Sequence, residues 1–97
     1  MEKLTLQEDQ LIDAICLFHA KFKNVGPSDV EVELAYDDDE GYSADAYIGE
    51  EVTHYATSHF IAAIRLFIDN ELNKDSMSAR IQLDIDDELG MIAHLEF

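Results

Sequence analysis

Basic residues are scarce in this chain. Six Lys and Arg stand against 22 Asp and Glu, giving a formal charge of −16 at neutral pH. A nucleic-acid binder needs Lys and Arg to displace counterions from phosphate, so that class is excluded, and an anionic membrane surface with it. Cysteine is scarcer still. Cys16 stands alone, which excludes an internal disulfide and points to a reducing cytoplasm. No apolar run reaches the roughly 18–20 residues of a membrane span. The opening MEKLTLQEDQ lacks the basic start and apolar stretch of a signal peptide. There is no nucleophile beside a base, no glycine-rich phosphate loop and no metal-ligand cluster of familiar spacing. The expectation is a non-catalytic, cytoplasmic protein that needs no cofactor.

What the chain does have is a repeat. Advanced by 49 positions, Leu11–Ile48 lies on Phe60–Phe97 without a gap. Ile12, Ala14, Ile15, Leu17 and Phe18 fall on Ile61, Ala63, Ile64, Leu66 and Phe67. Asn24 falls on Asn73, Leu34 on Leu83, Asp37 and Asp38 on Asp86 and Asp87, Gly41 on Gly90, and Ala44 on Ala93. Two units of this size would each be marginal alone. The expectation is one domain over residues 1–97, built from an internal duplication (1–49 and 50–97) around one shared core.

Periodicity fills in the unit. Leu4 and Leu6 mark a short strand at 2–6, matched by 51–55. Thr5 with Glu8 has capping-box spacing. An apolar stripe through Leu11, Ile12, Ala14, Ile15, Phe18, His19 and Phe22 predicts a helix over about 7–24, which Gly26-Pro27 ends by way of a left-handed glycine. Val30, Val32, Leu34 and Tyr36 alternate with polar neighbours as a strand. An acidic turn follows, and Tyr42, Ala44, Ala46 and Ile48 return. The second copy predicts a helix over about 59–73 capped by Thr57 or Ser58, with Arg65 and Asp69 as an outer ion pair, and then two more strands. The fold class is α+β: two tandem β-α-β-β repeats sharing one mostly antiparallel sheet, with two helices on one face. The other sheet face, with Glu31, Glu33, Ser43, Asp45, Tyr47, Arg80, Gln82, Asp84, Ile92, His94 and Glu96, is read as wet or as a partner surface.

Function is sought where the copies differ. The outer face of the first helix carries Cys16, Leu17 and Ala20 where the second carries Arg65, Leu66 and Asp69. An apolar outer face is a contact surface, so these three residues are candidates for a homodimer interface. The acidic turns offer Asp37, Asp38, Asp86 and Asp87 as oxygen ligands for a divalent cation, although Asp in a hairpin turn also serves the turn itself. His19 falls on Ile68 and is read as a core histidine. The pairs Cys16 and His19, and His54 and His59, are weak metal candidates. The charge also fits an acidic chaperone or decoy for a basic protein partner.

A short strand, a capped helix with AICLF, the segment DVEVELAYDDDEGYSADAYI and a second helix with AIRLFI together resemble a family of short acidic bacterial proteins of unknown function, the YxcD-like proteins. The resemblance spans nearly the whole chain and rests on core and turn residues. It implies a bacterial cytoplasmic protein and carries over no active site, substrate or cofactor.

Overall fold

A computed structural model describes residues 2–97. The order is β1 (Lys3–Leu6), α1 (Glu8–Lys23), β2 (Glu31–Asp37), β3 (Gly41–Ile48), β4 (Glu51–Tyr55), α2 (Thr57–Glu71), β5 (Arg80–Asp86) and β6 (Gly90–Glu96). A short 3-10 turn precedes β2 at Pro27–Asp29 and β5 at Ser76–Ser78. The class is α+β, as expected.

The strands form two sheets and not the single one expected. One is three-stranded in the order β1-β6-β5 and the other three-stranded in the order β2-β3-β4. Each half's first strand therefore joins the hairpin of the other half. Leu6 lies opposite Ala93 in the first sheet and Tyr55 opposite Ala44 in the second. Adding 49 to the β1 residue of each β1–β6 pair and subtracting it from the β6 residue gives the β4–β3 register. Joining the sheets through β2 and β5 would bring Glu31, Glu33 and Asp37 against Asp84 and Asp86, and like charges on neighbouring strands destabilise a ladder. Acidic edge strands of this kind also discourage unwanted pairing.

The two helices pack on each other, and α1 also reaches strands of both sheets. Leu11, Ile15, Phe60, Ile64 and Ile68 are fully buried between these elements, with Leu6, Ala44, Ala46, Ala93 and Leu95 supplied by the strands. On β2, Val32 and Leu34 are half-buried while Glu31, Glu33 and Ala35 are exposed, the alternation read from the sequence, but Tyr36 at the strand end and Phe22 at the end of α1, both read as buried, are 51% and 71% exposed. The opposite face is less wet than expected. Ser43 and Ile92, at matching positions on the central strands, are 4% and 5% exposed.

The helix ends differ from expectation in instructive ways. Thr5 stays in β1, and α1 begins after Gln7, whose N–H is accepted by Gln10 Oε1 at 3.0 Å. Thr57 lies inside α2, which is preceded by Ala56. The left-handed residue after α1 is Asn24, at φ 58°, while Gly26 is extended. Its counterpart Asn73 has φ 53°. Asn tolerates this conformation better than other residues bearing a Cβ, so the identity shared by the two copies marks the cap that the glycine was expected to supply.

Candidate functional site

The helix pair leaves a shallow cleft on its outer side. Leu17, Ala20 and Lys21 of α1 line it with Leu66, Phe67, Asn70 and Glu71 of α2, and Val25 and Pro27 close one end. A second depression continues past Pro27 to Cys16, Asp13 and Gln10. Of the three interface candidates, Leu17 and Cys16 are half-buried at the rim, whereas Ala20 is 3% exposed and already packed in the core. Of the face that the sequence comparison read as outward, Cys16 and Leu17 therefore remain at the surface and Ala20 does not. The Cys16 thiol contacts Val30 O at 3.7 Å. Burial, and then the Asp13 carboxylate, push the thiol pKa up, so it is a poor nucleophile.

The matching stretch of α2 has been given to structure. Arg65 donates to the carbonyls of Ser76 and Ala79. Asp69 accepts from the Ser76 N–H and hydroxyl, each at 2.9 Å. The expected Arg65–Asp69 ion pair is thus replaced by two side chains that clamp the 3-10 turn onto the helix.

The acidic turns use their first carboxylate locally. Asp37 Oδ1 accepts the N–H groups of Asp39 and Glu40 at 2.7 and 3.3 Å. Asp86 Oδ1 accepts those of Glu88 and Leu89 at 2.8 and 2.9 Å. The Leu89 and Glu88 N–H groups hold the Asp86 pKa below the usual carboxylate range. Asp38 and Asp87 are exposed beside them. Among the described residues, no three His, Cys, Asp or Glu side chains are grouped to hold a metal ion. His54 instead faces Asp45 at 2.7 Å and Glu40 at 3.9 Å, and His59 lies against the Tyr55 ring. Cys16 and His19 likewise turn to different partners.

His19 is fully buried, as read. Its Nδ1 lies 2.5 Å from the hydroxyl of Tyr55 at the end of β4. Its Nε2 is the one buried side-chain polar atom without a partner among the described residues. The sequence reading missed Tyr55 as that partner, although a signal existed. Tyr55 falls on Leu6 and His19 on Ile68, so each half places one polar-tipped residue at a core position. Buried polar groups need each other.

Two helices and two antiparallel three-stranded sheets define the class of protein, and the family follows from the sequence. Residues 1–88 match the family described as Protein of unknown function (DUF2653), and the chain belongs to it. A bacterial relative, described as Uncharacterized protein YxcD of Bacillus subtilis (strain 168), is 27% identical over 92 residues, spanning 94% of this chain and 90% of its own. The YxcD-like resemblance is therefore correct. No solved structure matches. No helix among the described residues is long and apolar enough to cross a membrane.

Proposed function

We propose that this protein works through contacts rather than catalysis, as a homodimer joined along the cleft between α1 and α2. The observation that carries this reading is the charge balance of the cleft. Copies bearing −16 repel each other, so a self-contact needs a region free of that excess. The cleft sets Leu17, Val25, Pro27, Leu66 and Phe67 beside one base, Lys21, and one acid, Glu71. An apolar, locally neutral strip on an otherwise acidic protein suits an isologous contact. We further infer a single domain arising by duplication, since the two halves share one strand register, and a reducing cytoplasmic setting for the lone thiol. Sedimentation equilibrium at physiological salt tests the dimer. The natural protein is expected to be dimeric and Leu17→Glu monomeric with its fold intact. A monomeric natural protein at tens of micromolar overturns the reading.

A second reading has its own support. Three of the six bases are already engaged: Lys23 with Glu51, Lys74 with Glu2, and Arg65 with backbone carbonyls. The remaining surface is acidic enough to attract a basic protein. Salt-sensitive binding of a purified basic protein, weakened by charge-reversing Glu31 and Glu33, supports it, and equal binding by the reversed variant counts against it.

A further inference from the structure

We infer that His19 and Tyr55 form an acid-sensitive latch that holds helix α1 to the strand β4. The imidazole is wholly buried, one nitrogen is bonded to the Tyr55 hydroxyl at 2.5 Å, and the other has no acceptor. A neutral imidazole fits this site, with one nitrogen accepting or donating toward Tyr55. An imidazolium carries two N–H donors, and here one of them would be a charged donor facing apolar packing. That arrangement is among the costliest a core holds.

The groups around the ring do not rescue the charge. From α1 itself, Lys23 opposes it. From β4, Glu51 favours it but is paired with Lys23 at 3.1 Å. The Tyr55 hydroxyl is already bonded, and the Tyr55 ring packs between Phe18 of α1 and His59 of α2. Burial, then Lys23, lowers the His19 pKa from its ordinary 6.5, with Glu51 acting weakly the other way.

The sign follows. A group whose folded-state pKa lies below its unfolded value binds more protons when unfolded, so stability rises with pH through the interval between them. The His19 contribution is complete above about pH 6.5 and is lost as the pH falls toward the folded-state value. The rest of the molecule works in the opposite direction. Acidification toward the isoelectric point of about 4.2 relieves self-repulsion. A loss of stability between pH 6.5 and 5.5 that His19→Ile does not share therefore belongs to His19.

The latch joins a helix of the first half to the strand that opens the second half.

The test measures the denaturant midpoint at pH 7.5, 6.5 and 5.5, at matched ionic strength, for the natural protein and for His19→Ile, the residue found at matching position 68. Between pH 6.5 and 5.5 the natural protein is expected to lose up to about fivefold in its folding constant relative to the variant. Hydrogen exchange at pH 5.5, corrected for intrinsic rates, is expected to quicken in α1 and β4 more than in β5, which α1 does not pack against. If His19→Ile does not fold, an NMR titration of the natural protein decides, with the His19 ring staying neutral as the pH falls below its ordinary 6.5. Parallel pH dependences for protein and variant, a His19 ring that charges at or above pH 6.5, or exchange that quickens evenly across the sheets each overturn the latch.

Discussion

The two halves of this chain place their backbones alike and fill the same places with different chemistry. At the first position of each helix, Glu8 accepts the Met91 N–H at 3.1 Å, while Thr57 donates to the Tyr42 carbonyl at 2.6 Å. These are matching positions and matching strands, tied across the halves by opposite ends of the peptide group. In the core, His19 stands where the other half has Ile68, and Tyr55 where it has Leu6. Along the helices, half-buried Cys16 and buried Ala20 stand where Arg65 and Asp69 clamp a turn. The residues shared between halves hold geometry: Asn24 and Asn73 in the left-handed region, Gly41 and Gly90 at φ 79°. The differences are what give the first half a buried imidazole and its helix the apolar wall of the cleft it shares with α2.

The largest effect that would break the symmetry lies in the core. Ile15 and Ile64 occupy matching, fully buried positions. Each change to Ala is expected to cost about 2–5 kcal/mol, measured by urea denaturation, and the two costs should agree. A much smaller loss for Ile15→Ala would mean that the first half's core is looser than its geometry shows.

Next come the hairpin glycines. Both have φ 79°, where an alanine costs roughly 1–2 kcal/mol. The surroundings differ. A Cβ at Gly41 would sit 3.2 Å from Thr57 Oγ1, whereas one at Gly90 would sit 2.1 Å from Glu8 Oε2. The Glu8 carboxylate is flexible and will swing away, giving up its bond to Met91 N–H, which adds about 1 kcal/mol. Gly90→Ala is therefore expected to lower stability by more than Gly41→Ala, and combining it with Glu8→Ala should cost less than the sum of the two.

A smaller effect separates the two helix ties. Thr57→Val leaves the Tyr42 carbonyl without this donor and is expected to cost about 1 kcal/mol by urea denaturation. Adding salt should leave that cost unchanged. The Glu8 tie involves a charged acceptor at a helix N-terminus, where the dipole adds to it, so the cost of Glu8→Ala should shrink as salt is raised.

Much of this was legible before the structure. The helices, the six strands and the acidic turns follow from periods of 3.6 and 2, and the 49-residue offset marks equivalent positions. The partner of a strand carries no such local signal. β1 joins β6 from the far end of the chain, and nothing within KLTL names that choice, so one sheet was expected where two form. Ala20 reads as outward because its counterpart is the polar Asp69, yet a small apolar side chain at that position packs into the core while Asp69 stays exposed. Arg65 and Asp69 have ion-pair spacing, but backbone groups of a turn eleven and seven residues away claimed both first. The cleft is invisible in one dimension because half its wall comes from the other helix.

The smallest expected effect concerns the acidic turns, where the halves are most alike. A calcium ion needs six to eight oxygens. In each turn the leading Asp already gives one oxygen to two N–H groups, and those bonds fix the loop in a shape that faces the remaining carboxylates outward to water. Thermal melts in Ca²⁺, Mg²⁺ and KCl at equal ionic strength are therefore expected to coincide, because all three salts screen the same self-repulsion. A specific ion at about 100 times its dissociation constant would add roughly 2.7 kcal/mol, on the order of 10 °C for a domain of this size. A rise of that size for one ion alone, abolished by Asp38→Asn or Asp87→Asn, would show that the turns reorganise around a cation, and would move the search for function from the helices to the hairpin tips.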